Sequence, residues 1–189
     1  MDEKRLTVPT AQEKGRLPTG FRELLPSDLS TPVFERIGRE GMLVTVEDGG
    51  GHGNPMTATW GGFGVLFGEN VFFLFVRASR YTHALLETTR TVTVSFLGEG
   101  ARDILRFCGT HSGRDGDKTA ATGLSPFRLP EGGISYETAS LVLSGEVIYA
   151  APLCDGGILD EGYRAYYKNG DYHTMFVSRV SAVYERRTE

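Results

Sequence analysis

The chain has 189 residues, 40% of them apolar and 23% charged, which suits one domain with a real hydrophobic core and excludes a disordered chain. Its formal charge of −4 argues against nucleic acid as the main partner, because proteins that track phosphate backbones are usually basic. Cys108 and Cys154 are too few and too far apart for a zinc knuckle, a redox pair or a disulfide framework, so two ordinary buried thiols are expected.

Met1 to Arg5 leads into polar sequence with no apolar stretch, so no secretory signal is expected and cytoplasm is the default location. Residues 1–32 carry Pro9, Pro18, Pro26 and Pro32 among polar residues and read as an arm laid across the body, which occupies residues 33–189. Met42–Val46 is β-branched and apolar and stops at Glu47-Asp48-Gly49-Gly50, a strand followed by a turn. Asn54–Trp60 is a second strand, with Met56, Ala58 and Trp60 on one face and Thr57 and Thr59 on the other. The span Gly49–Gly68 lacks Asp, Glu, Lys and Arg, but His52, Asn54 and its many glycines make it a poor membrane span. Val71–Val76 is a continuous apolar run too short for a helix, hence a buried strand. Ser79 is placed to cap a helix running to about Glu87, before the strand Thr91–Phe96. A second helix is expected around Ala101–Cys108, and further strands over Leu141–Tyr149 and Thr174–Tyr184, the latter alternating throughout. Many strands with short helices between them predict a mainly β, single-domain barrel with helical decorations.

The 25 glycines cluster over Gly49–Gly68 and Gly109–Gly123, where they mark tight turns or close backbone approaches. They do not form known nucleotide loops. In Gly113-Arg114-Asp115-Gly116-Asp117-Lys118-Thr119 an Asp separates glycine from lysine, which breaks the phosphate-loop pattern. Gly61-Gly62-Phe63-Gly64 lacks the third glycine of a dinucleotide fingerprint. His52, His83, His111 and His173 lack paired metal spacing, and no Gly-x-Ser-x-Gly elbow occurs, so no metal site and no hydrolase are expected.

Three segments carry chemistry: Asn54-Pro55-Met56-Thr57-Ala58-Thr59-Trp60-Gly61-Gly62, Arg77-Ala78-Ser79-Arg80-Tyr81-Thr82, and Ser112-Gly113-Arg114-Asp115-Gly116-Asp117-Lys118. At the strand-to-helix junction of the second, free backbone N–H groups, two hydroxyls and two guanidinium groups suit one anion such as a phosphate monoester. Arg114 and Lys118 of the third add two cations. The alternative leaves Arg77 and Arg80 solvated or paired with Glu87 or Asp103, and leaves Trp60 as core.

In this order and spacing, the three segments resemble the flavin-reductase-like family of FMN-binding split β-barrels, including its flavoredoxin-type members. The resemblance covers about residues 34–183, with Thr59 in place of the usual serine. It implies that Met56, Thr57, Ala58, Thr59 and Trp60 line the isoalloxazine and ribityl side, partly through backbone. It assigns Arg77, Ser79, Arg80, Tyr81 and Thr82 to the phosphate and ribityl chain. Ser112, Gly113, Arg114 and Lys118 would close the pocket, and the family's homodimeric habit allows that loop to reach in from the facing subunit. His173, in a His-Thr-x-Phe strand, would sit near the open face of the flavin. The implied function is an FMN-dependent oxidoreductase passing hydride from NADH or NADPH to flavin N5. The alternatives are a flavoredoxin-like carrier fed by a protein partner, a pyridoxamine-phosphate-oxidase relative and a flavin-free interaction protein.

Overall fold

Runs of β-branched and aromatic residues become the strands of one antiparallel sheet. A computed structural model of the chain describes residues 15–98 and 100–187. Its elements in chain order are β1 (Phe21–Leu24), α1 (Val33–Glu35), β2 (Met42–Glu47), β3 (Gly53–Ala58), β4 (Gly61–Leu66), β5 (Glu69–Arg77), α2 (Tyr81–Thr88), β6 (Thr91–Phe96), α3 (Arg102–Thr110), α4 (Lys118–Thr122), β7 (Pro126–Arg128), β8 (Ile134–Tyr136), β9 (Leu141–Pro152) and β10 (His173–Arg186). A tight helical turn over Glu161–Tyr167 bridges β9 and β10.

The main sheet runs β3-β2-β6-β9-β10-β5-β4, and β1 adds to β10. Strands β3 and β4 are consecutive in the chain yet stand at opposite ends of that order. The sheet therefore rolls into a barrel whose seam lies at Thr59–Trp60, a split barrel. Alternate residues bury on both faces. Val44, Phe72, Leu74, Val94, Phe96 and Leu143 fill the interior, while Leu43, Val142 and Tyr184 pack outward against Leu105, Cys108, Leu124 and Tyr136. Each such side chain stabilises the fold by about 1.5–3 kcal/mol through burial. The small β7–β8 hairpin is fastened to β6 by Thr93 Oγ1 donating to the Ile134 carbonyl (2.5 Å) and by a 2.9 Å bond between the Ser95 and Ser135 hydroxyls.

Residues 1–14 of the expected arm lie outside the described residues, and residues 21–24 lie on the body as a strand in register with β10, Phe21 opposite Arg186 and Leu24 opposite Val183. Other expectations need correction. The glycine-rich run after Trp60 is strand β4. A Cβ at Gly61 would lie 2.5 Å from the Phe73 carbonyl oxygen, so glycine there permits close pairing with β5. The alternation of β10 breaks at register shifts between Val177 and Ser178 and between Val180 and Ala182, where bulges change which face is buried. Ser79 does not cap α2: Arg80 is the capping residue, and the Ser79 hydroxyl is bonded elsewhere. Cys154 is exposed, while Cys108 is buried as expected, and both thiols are free. Among the described residues no helix is long and apolar enough to cross a membrane.

Candidate flavin site

Strand register assembles the site at one end of β4, β5 and β10. His173 stands opposite Arg77, and Met175 opposite Phe75. Gly61 pairs with Leu74, so the preceding Trp60 reaches the same end of the sheet. Met56, Thr57 and Ala58 approach from β3 across the barrel seam. Together with Trp60, Phe75, Arg77 and His173, and with Tyr166 from the Glu161–Tyr167 turn, these three residues line a cavity of about 360 Å³.

One wall of this cavity is aromatic. Trp60 lies 4.6 Å from the His173 ring and meets Tyr166 edge-on at 5.4 Å, leaving the indole 36% exposed. It is therefore neither core nor free surface. Burial first, and the Arg77 charge second, push the His173 pKa down to about 4, so the imidazole is neutral near pH 7. Its Nδ1 lies 2.9 Å from the Tyr167 hydroxyl. Burial raises the Tyr167 pKa above its ordinary value, so that phenol keeps its proton.

At the strand-to-helix junction the anion already present is a side chain of the same protein. Asp171 accepts from the Ser79 backbone N–H (3.1 Å) and from the Ser79 hydroxyl (2.7 Å). Arg77 donates to the carbonyls of Asp171 (2.7 Å) and Tyr166 (3.2 Å). Arg80 instead donates to the carbonyls of Gly109 (2.7 Å) and Cys108 (3.2 Å) at the end of α3, where the helix dipole favours a cation. Neither arginine pairs with Glu87 or Asp103. The Thr82 hydroxyl accepts from the Asn54 amide at 2.9 Å.

The cation left for a ligand is Lys118. It is 5% exposed, and no described residue hydrogen-bonds or ion-pairs its ammonium. Burial depresses its pKa to about 8. Burial also raises the neighbouring Cys108 thiol, which stays protonated and offers no counter-charge. Asp117 is committed to capping α4, accepting from the N–H groups of Thr119 and Ala120. Lys118, Ser112 and Gly113 share a cavity of about 90 Å³ with Ser79–Thr82 at the start of α2, whose cap makes no side-chain hydrogen bond. Arg80 also lines the aromatic cavity. Tyr81, Gly113 and Lys118 also line a third cavity of about 300 Å³, which holds Arg114 and His52. Gly113 is required by this contact, because a Cβ there would lie 2.0 Å from Asn54 Oδ1.

Residues 34–189 match the model of the "Flavin reductase like domain" family. The chain belongs to that family. Members are flavin-related oxidoreductases. The chain is also similar to an FMN-binding protein from Thermus thermophilus, with 25% identity, TM-score 0.63, and 85% of this chain and 79% of that one covered. Flavoredoxin of Desulfovibrio vulgaris (Miyazaki F) shares the fold at 18% identity and TM-score 0.61, covering 82% and 71% of the two chains. The NADH:FAD oxidoreductase SgcE6 of Streptomyces globisporus C-1027 does so at 20% identity and TM-score 0.58, covering 78% and 75%. No curated protein matches the chain.

In this flavin reductase like domain, all the candidate site residues line the three adjoining cavities. Met56 to Trp60, Arg77 and His173 line the aromatic cavity. Ser79, Tyr81, Thr82, Ser112, Gly113 and Lys118 line the smallest, with Arg80 shared between the two. Arg114 lies in the third, its guanidinium 4.9 Å above the Tyr81 ring. A single chain supplies both sides of the small cavity. The Thr57 hydroxyl donates to the Leu105 carbonyl (2.6 Å), so that hydroxyl is already engaged within the protein. Sequence reading missed Phe75, Tyr166, Tyr167 and Asp171. Nothing local marks Asp171, whose partner Ser79 is 92 residues away.

Proposed function

We propose that this domain holds FMN non-covalently and acts as an NAD(P)H-dependent flavin oxidoreductase, with residues 33–189 as the functional unit and residues 1–32 as an arm. The observation that carries the reading is Lys118, 5% exposed at the first position of α4, whose ammonium has no ion-pair partner among the described residues and opens onto a small cavity that it shares with the start of α2, beside a larger aromatic one. A cation largely withdrawn from water without a counter-charge favours an anion in the cavity it faces, and a helix start adds unbonded N–H groups to the same place. A phosphate monoester fits that donor set, and the adjoining cavity falls within the range of about 300–1,000 Å³ usual for small-molecule sites.

On this reading Lys118, the Ser112 hydroxyl and the N–H groups of Tyr81 and Thr82 hold the phosphate. Arg80 closes the passage between the two cavities. The backbone of Met56–Thr59 and the Trp60 ring orient the flavin, while His173 faces the side from which a nicotinamide donor enters. Bound FMN supplies the redox chemistry, taking hydride at N5 and passing electrons onward. The protein supplies position, an aromatic wall and a neutral hydrogen-bonding imidazole. The exposed apolar side chains of Phe34, Phe67 and Leu159 offer surface for a homodimer.

The test is an anaerobic absorbance titration with FMN followed by NADH or NADPH. Bleaching of the flavin band faster than with free FMN supports the reductase. A bound flavin inert to both nucleotides would leave the flavoredoxin-like carrier, and absence of FMN binding would overturn both.

A further inference from the structure

We propose that Tyr167 is a positioning residue that fixes the tautomer of His173, so that the ring presents an Nε2–H donor to a ligand in the aromatic cavity. His173 lines that cavity and Tyr167 does not, so the phenol supports the imidazole from behind.

The direction of the phenol is set on several sides. Tyr167 is 9% exposed, and its ring stacks on Tyr172 at 4.5 Å with an interplanar angle of 16°. The Arg77 guanidinium lies 5.4 Å above the ring and is itself fixed by the carbonyls of Asp171 and Tyr166. From that position the hydroxyl lies 2.9 Å from His173 Nδ1, and the two rings meet edge-on at 79°. The imidazole is also packed against the Trp60 ring, 4.6 Å away and tilted by 36°.

Chemistry then chooses the proton. A phenol donates a hydrogen bond better than it accepts one, and the lone pair of a neutral imidazole is the stronger base of the two. The O–H therefore donates to Nδ1, and the ring proton resides on Nε2, since the hydrogen bond at one imidazole nitrogen sets the state of the other. A ring held in this way donates one hydrogen bond in a fixed direction and does not act as a proton source. The acceptor it suits is a carbonyl oxygen such as a nicotinamide carboxamide. That assignment of the acceptor rests on the proposed donor-binding role, whereas the tautomer does not.

The experiment is nitrogen-resolved NMR of the ligand-free protein, with His173 identified by its loss in His173→Gln, compared between wild type and Tyr167→Phe. Phenylalanine keeps the stack on Tyr172 and removes only the hydroxyl. The wild type is expected as the Nε2–H tautomer and the variant as a mixture containing Nδ1–H. A wild-type Nδ1–H tautomer, readable without any substitution, overturns the proposal, as does an unchanged tautomer in Tyr167→Phe. In FMN-loaded protein, Tyr167→Phe is expected to raise the nicotinamide KM by about tenfold, with kcat and FMN affinity within about twofold. An unchanged KM would overturn carboxamide recognition. If the protein takes up no FMN, the proposed function fails while the NMR comparison still decides the tautomer.

Discussion

Replacing Lys118 by methionine is expected to move fold stability and flavin affinity in opposite directions. In the ligand-free protein the depression of the Lys118 pKa from 10.5 to about 8 expresses the cost of a buried ammonium without a counter-ion. That depression corresponds to about 3 kcal/mol of lost stability at pH 7, as an upper figure. Between pH 8 and 10.5 the unfolded chain binds more protons at this residue than the folded one, so stability rises across that window. Lys118→Met removes the charge and should abolish the rise, with apo stability at pH 7 higher by about 1–3 kcal/mol. Binding responds in the other sense, because hydrogen bonds to charged groups contribute about 1.5–3 kcal/mol, so FMN affinity should fall by about 10- to 150-fold. Wild-type FMN affinity should also weaken above pH 8, as the apo ammonium loses its proton. The assays are urea unfolding of apo protein at pH 7 and pH 10, and titration of flavin fluorescence. Riboflavin, which lacks the phosphate, is the control. Equal loss of riboflavin and FMN affinity, or a less stable apo variant, would refute the assignment of Lys118 to phosphate.

Gly113→Ala should cost about 1–3 kcal/mol in urea unfolding through overpacking, because its Cβ would collide with Asn54 Oδ1. Wild-type stability in that variant would mean that the loop shifts freely. Asp171→Ala removes the carboxylate that fastens residues 161–172 to Ser79, and should accelerate amide exchange there at a cost of about 1–2 kcal/mol. Unaltered exchange would show that the Arg77 contacts alone suffice. His173 has a folded pKa of about 4, below its ordinary 6.5, so its contribution is complete above pH 6.5 and is lost as pH falls towards 4. Trp60, the only tryptophan in the chain, should change emission near pH 4 as the adjacent ring charges, and His173→Gln should flatten that transition.

Much of the barrel was legible because strand signals are local. Val71–Val76, Thr91–Phe96 and Leu141–Tyr149 are apolar, β-branched runs, and each lies within a strand of the sheet. Strand β4 was hidden because Gly61, Gly62 and Gly64 carry no side chain to show a periodicity, and β7 and β8 are three residues each, too short to show one. The candidate site divides in the same way. The residue types and spacing of the three motif segments already marked the cavity lining, since a phosphate needs cations, hydroxyls and free N–H groups in any fold. Which of those groups remains open to a ligand depends on contacts between distant parts of the chain. The Arg77–Ser79 junction looks like an anion site in sequence, yet Asp171, from the segment between β9 and β10, is folded onto it. Lys118 looks like one more surface cation, and only its burial between α2 and the Ser112–Gly113 loop leaves it without a counter-charge. Composition and periodicity thus determined the mainly β barrel, and the resemblance of the three segments to a known family implied the residues that line its cavities. Tertiary structure decided which polar groups satisfy one another and which are left to meet a ligand, because burial and hydrogen-bond pairing exist only once the chain has closed.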